Sequence, residues 1–76
     1  MKQFNFIEYL KNPSRKIVTR DGRSVEIRGT SYSRLPVVAQ IEGNTYFNLF
    51  SKDGKYRRDS LDSRNDLFFV TEKHEG

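Results

Sequence analysis

The sequence predicts a mainly β domain, α+β by count of elements: one short N-terminal helix plus five or six antiparallel strands in a small roll or barrel. Three observations carry this. Turn dipeptides Asp21-Gly22, Gly43-Asn44 and Asp53-Gly54 each sit between β-favouring runs. Only one segment, near the N-terminus, has both a helix start and a helix stop. The 76 residues suffice for a single domain, 1–76, and 20 of them are Leu, Ile, Val or Phe, above the level of about 20 % below which disorder is the better expectation.

The helix is expected over residues 6–12. Asn5 is a good N-cap, Glu8 three residues later completes a capping-box pattern, and Phe4 with Tyr9 can form a hydrophobic staple. Ile7 and Leu10 share a face. Asn12-Pro13 stops the helix, because the residue before proline is pushed out of helical space. So short a helix is not stable alone and must dock on apolar surface, which the sheet supplies.

The first hairpin, about 16–28, is the organising element. With Asp21-Gly22 as a two-residue loop, Val18 faces Val25 and Arg20 faces Arg23. With Arg20-Asp21-Gly22 as a three-residue loop, Ile17 faces Val25 and Thr19 faces Arg23. The second register avoids a direct pairing of like charges and is favoured. In both, Val25 and Ile27 share one face while Ser24, Glu26 and Arg28 share the other.

Gly29 to Arg34 reads as a loop. Pro36 is acceptable at a strand start, so a second hairpin, about 36–51, pairs Val37–Glu42 with Thr45–Ser51 through Gly43-Asn44. The Thr45–Ser51 strand carries Tyr46, Phe47, Leu49 and Phe50. Apolar on both faces, it is expected to be central or covered by the helix. Lys52-Asp53-Gly54-Lys55 repeats the turn chemistry of Arg20-Asp21-Gly22-Arg23 and gives a third hairpin, about 49–57, with a short strand at Tyr56-Arg57. Arg58 to Asp66 is a polar loop, 67–71 the last strand, and 72–76 a frayed tail. Because the first hairpin is the more central, Gly22→Val is expected to destabilise more than Gly54→Val.

Function is approached by exclusion. There is no cysteine, hence no disulfide and no thiolate metal site. The one histidine, His74, falls in the tail, and Asp59, Asp62 and Asp66 fall in a loop, so no constellation for general acid–base or nucleophilic catalysis assembles. No enzyme activity, cofactor or metal is expected. No apolar run reaches the ~20 residues of a membrane span, and Met1-Lys2-Gln3 does not open a signal peptide. A monomer in a reducing bacterial cytoplasm, or that of an infected host, is expected.

Charge is the sharper signal. Of the formal +4, residues 1–34 hold eight Lys or Arg against three acids, and residues 35–76 hold six against seven. Arg15, Lys16, Arg20, Arg23 and Arg28 surround the first hairpin as a candidate polyanion surface, with Tyr32, Tyr46 and Tyr56 available to stack on bases. Neither Arg20 nor Arg23 is needed in a core. Nucleic-acid binding is thus the alternative to the leading expectation, a small accessory domain acting as a protein-interaction or assembly module. For that reading, Phe68-Phe69 offers apolar surface if the last strand is an edge.

The helix followed by KIVTRDGRSVEI, LPVVAQIEG, SKDGKY and DLFFV resembles small uncharacterised proteins of Bacteroides-type gut bacteria and their phages, which carry a V-x-T-R-D-G-R hairpin after a short helix. The likeness runs from Phe4 to Val70 and is most specific at Val18-Thr19-Arg20-Asp21-Gly22-Arg23. The resemblance implies a compact β-rich bacterial or phage domain and carries over no activity and no binding residue.

Overall fold

The computed structural model describes residues 2–59 and 61–71; the expected frayed tail, with His74, lies outside the described residues. The elements run β1 (Lys2–Gln3), α1 (Phe6–Lys11), β2 (Ile17–Thr19), β3 (Ser24–Thr30), β4 (Val37–Ile41), β5 (Asn48–Phe50) and β6 (Leu67–Phe69). All pairings are antiparallel in one sheet of order β1-β6-β2-β3-β4-β5. The mainly β class and the single N-terminal helix are as expected. The ladder stays open, so the sheet is not a barrel. Its two ends are nevertheless stitched by the segment after β5: Phe6 N–H donates to the Lys52 carbonyl (2.8 Å) and Leu67 N–H to the Gly54 carbonyl (2.9 Å).

The inner face buries Phe4, Ile17, Val25, Val37, Ala39, Ile41, Phe50, Leu67 and Phe69. Ile17 pairs with Val25, and Thr19 N–H donates to the Arg23 carbonyl (2.8 Å). The first hairpin therefore has the three-residue loop, with Gly22 at φ 92°. Val18, paired with Phe68 across the strands, lies on the outer face instead. β6 is flanked by β1 and β2, so Phe68-Phe69 is not on an edge: Phe69 closes the core.

Helix α1 is held by Asn5, whose side chain accepts from Glu8 N–H at 3.0 Å. Only half of the expected box forms, because the Glu8 carboxylate turns to Lys2 (2.7 Å) and Arg15 (3.4 Å). Phe4 and Tyr9 do meet, with ring centroids 6.1 Å apart. The docking face, however, is Phe6 and Tyr9, leaving Ile7 and Leu10 about 60 % exposed. Phe4 is anchored between Phe69 and Tyr9, which rotates the helix so that the first and fourth of its residues face inward. Asn5→Ala should cost about 1 kcal/mol, the usual loss of an N-cap, read as a lowered urea midpoint that Asn5→Asp largely restores.

Three further expectations are corrected. The strand foreseen at Thr45–Ser51 shrinks to β5, because Glu42 N–H stays with the Ser24 carbonyl (2.8 Å) and the turn closes early, at Asn44 N–H to the Ile41 carbonyl (2.9 Å). Residues 45–47 peel away and β5 is the end of the ladder rather than its centre. No strand forms at Tyr56-Arg57; Tyr56 N–H is taken by the Asp66 carboxylate (2.9 Å) instead of a neighbouring strand. The segment expected to be loop from Gly29 begins as strand: β3 runs on through a bulge between Ile27 and Gly29, pairing Gly29 with Val38 and Thr30 with Val37.

Candidate functional site

The five cations singled out around the first hairpin divide between its two ends. Arg15 lies over the Phe69 ring, 3.9 Å from its centroid, and pairs with Glu8. Arg28 pairs with Glu26 and lies 5.7 Å from the Phe47 centroid. These two line one shallow hollow that Glu26 shares. Lys16 is exposed and makes no ion pair among the described residues. At the other end, Arg23 bonds Asp21 (2.9 Å) and Asn65 (2.5 Å), and Arg20 bonds Asp66 (3.1 Å) and the Ser63 carbonyl (3.1 Å) and lies 3.4 Å from Asp62. Four of the five cations are thus matched to a carboxylate of the same chain.

The centre of this matching is Asp66, only 1 % exposed. Its carboxylate accepts from Tyr56 N–H (2.9 Å), Ser63 N–H (3.1 Å), Arg20 (3.1 Å) and Lys55 (3.1 Å). Burial pushes its pKa up, but the two backbone donors, then Arg20 and Lys55, more than offset this and hold it below the ordinary carboxylate value. Lys55 also bonds Asp62 at 2.8 Å; that contact first, then Asp66, raises the Lys55 pKa. Arg23, followed by Thr19, lowers that of Asp21. Arg20 and Arg23 lie outside the core, Arg23 against the partly exposed Asp21 and Asn65, but Arg20 reaches the buried Asp66. Arg20 balances a buried charge.

The two Asp-Gly turns share more than their dipeptide. In the first, Thr19 Oγ accepts from Arg23 N–H (3.0 Å), and Gly22 N–H donates to the Thr19 carbonyl (2.9 Å). In the second, Ser51 Oγ accepts from Lys55 N–H (3.1 Å), and Gly54 N–H donates to the Ser51 carbonyl (2.9 Å). The hydroxyl two residues ahead of each aspartate is the part of the repeat that the sequence reading missed. Both turns present a cation to Asp66: Arg20 from the first and Lys55 from the second. Gly22, Gly43 and Gly54 have positive φ, 92°, 90° and 81°, with Asp21 and Asp53 just ahead of the first and last; the turn at Gly43 closes from Asn44 N–H to the Ile41 carbonyl, around Glu42-Gly43 rather than Gly43-Asn44.

A different surface is left uncompensated. Tyr46 is 81 % exposed, Phe47 55 % and Leu49 41 %. Next to them, the Ser33–Leu35 loop, β5 and the Arg57-Arg58 turn enclose a groove of about 440 Å³ lined by Ser33, Arg34, Leu35, Leu49, Ser51, Arg57 and Arg58. Arg57 is held by Asp59 through two bonds, 3.1 and 2.7 Å. Arg34 and Arg58 form no ion pair among the described residues. Only the adjacency of Arg57 and Arg58 was visible in the sequence; the other walls come from distant segments.

No protein-family model, no curated protein and no solved structure matches the chain. Among the described residues no group of three or more potential ligands is placed to hold a metal ion, and no helix is long and apolar enough to cross a membrane.

Proposed function

We propose that the chain is a non-enzymatic accessory domain that acts as a protein-interaction module, engaging its partner through β5 and the residues leading into it. One observation carries this reading: Tyr46, Phe47 and Leu49, all apolar and exposed, lie within four residues of one another at the end of the sheet. Exposed apolar residues scattered singly are ordinary, whereas a cluster of aromatic and aliphatic side chains rimmed by arginines has the make-up of an interface core and rim. The terminal strand adds an unfilled side of the ladder, the kind of edge to which a partner strand can pair.

A polyanion surface on the first hairpin has less support. Phosphate binding draws on cations free to release counterions, and Arg15, Arg20, Arg23 and Arg28 already face carboxylates. The experiment is a nuclease-treated pull-down from the source cells with the wild type and with Phe47→Ser/Leu49→Ser. Protein partners that survive nuclease and are lost by a variant of unchanged melting temperature support the reading. Equal retention by the variant, or partners that vanish with nuclease, would overturn it. Sedimentation of the purified chain separates a foreign partner from a second copy.

A further inference from the structure

We propose that the groove between the Ser33–Leu35 loop, β5 and the Arg57-Arg58 turn receives an extended acidic segment of a partner protein. An apolar side chain of that segment lies between Leu35 and Leu49, and carboxylates meet Arg34 and Arg58. This rests on the interaction reading above and adds the chemistry of what is bound.

Three features of the groove point to that occupant. The first is charge. Three guanidinium groups line the groove and a single carboxylate, Asp59, answers them by pairing with Arg57. The local surplus is therefore two positive charges. It contrasts with the first hairpin, where acids and bases are matched nearly one to one. Guanidinium groups recognise carboxylates through paired N–H donors, so an acidic occupant completes what Arg34 and Arg58 lack.

The second feature is the floor. Leu35 and Leu49 sit among the arginines, and Leu49 lies opposite Val38 across the strands, so the apolar surface continues onto β4. An aliphatic floor suits an aliphatic or aromatic side chain. It offers no aromatic plane on which a base could stack, whereas stacking supplies much of the affinity in single-stranded nucleic-acid binding. Tyr32 and Tyr46 are exposed but do not line the groove. A peptide is accordingly favoured over a nucleic acid.

The third is direction. β5 ends the ladder, with β4 its one strand neighbour. A segment lying along the groove runs beside a strand and can be extended. An alternating pattern then sends every second side chain to the floor and the intervening ones to the arginines.

The test uses the 76-residue chain labelled with 15N and titrated with a capped octapeptide of alternating Asp and Leu. An octapeptide of alternating Lys and Leu and an oligothymidine serve as comparisons. The expected result is a set of shifts confined to Ser33, Arg34, Leu35, Leu49 and Arg58 with the acidic peptide and absent with the basic one. Binding should weaken as ionic strength rises. Arg34→Glu/Arg58→Glu should raise the dissociation constant by about tenfold or more, since both added charges repel the ligand. Its melting temperature should stay unchanged, because neither arginine has an ion-pair partner among the described residues. Shifts that are absent at millimolar peptide, or that fall elsewhere, would overturn the proposal. Shifts produced by oligothymidine instead would assign the groove to single-stranded nucleic acid. If the peptide fails while Phe47 and Leu49 still govern partner capture, only the acidic segment is lost. If both fail, the interaction reading goes with it.

Discussion

Asp66→Ala is expected to remove a large part of the chain's stability and to lower its urea midpoint sharply. The substitution removes the acceptor of Tyr56 N–H, Ser63 N–H, Arg20 and Lys55 at once. Lys55 is mostly buried, its side chain 16 % exposed, and loses its partner Asp66 while keeping only the exposed Asp62. Taking one member from a buried ion pair costs about 3–5 kcal/mol. Native domains hold about 0.05–0.15 kcal/mol per residue, roughly 4–11 kcal/mol for this chain. Far-UV circular dichroism at increasing urea reads the outcome, and an Asp66→Ala midpoint within a few tenths molar of wild type would contradict it. Asp66→Asn keeps an acceptor for one or two of the donors and should fall between.

The same carboxylate gives acid sensitivity a sign. Its folded-state pKa lies below the ordinary 3.8, so its stabilisation is complete above that value and is lost as pH falls through the lower, folded-state pKa. The wild type should therefore lose stability as the solution is taken below about pH 4. Asp66→Asn should show a shallower acid limb. Asp21, Asp59 and Asp62, lowered in pKa by Arg23, Arg57 and Lys55 respectively, keep some of the slope in the variant.

Gly54→Val is expected to destabilise more than Gly22→Val, the reverse of the order the sequence suggests. Both glycines have positive φ, 81° and 92°, and a β-branched residue is strained there by about 1–3 kcal/mol. Gly22 has open space where a Cβ would go. At Gly54 that atom would lie 2.8 Å from the Phe4 Cβ and 3.1 Å from both the Cβ and the carbonyl oxygen of Leu67. None of these is the yielding tip of a flexible side chain. Overpacking of this kind adds about 1–3 kcal/mol, so Gly54→Val should lose several kcal/mol in all and Gly22→Val about the strain alone. Urea midpoints of the two variants decide the order; equal losses would mean that Phe4 moves aside freely.

The contrast between the two turns shows what the sequence carries and what it does not. A turn is local chemistry, so both Asp-Gly turns, the Asn5 cap and the stop at Asn12-Pro13 are legible residue by residue. So is the register of the first hairpin, since a like-charge pair at Arg20 and Arg23 argues against the shorter loop. What packs over a turn is not local. Nothing near Gly54 announces that Phe4 will rest on it. Strand length suffered in the same way. Thr45 to Phe47 have β-favouring side chains, but the Ser24 carbonyl holds Glu42 and the chain diverges after it. Arg20 reads as open surface from the sequence because its counter-ions lie more than forty residues away, in the loop that ends at Asp66, whereas Arg15, Arg23 and Arg28 find theirs close by, at Glu8, Asp21 and Glu26. The three aspartates of that loop were visible in the sequence, and their spacing alone could not say which cations they would meet.

Strand order has a consequence for the time at which the fold can form. β6 sits between β1 and β2, although residues 20–66 must be made after β2, and residues 4–66 after β1, before it exists. The β2–β3 hairpin and the β3–β4 pair can form as soon as they are made, since their contacts are close in sequence. The amino-terminal strand has no neighbour until Leu67–Phe69 exists, and Phe4 and Ile17 have no Phe69 to pack against. A nascent chain therefore holds its first strand and part of its core in waiting, with apolar surface open to chaperones or to aggregation. Insertion of one late strand then completes both halves of the sheet together.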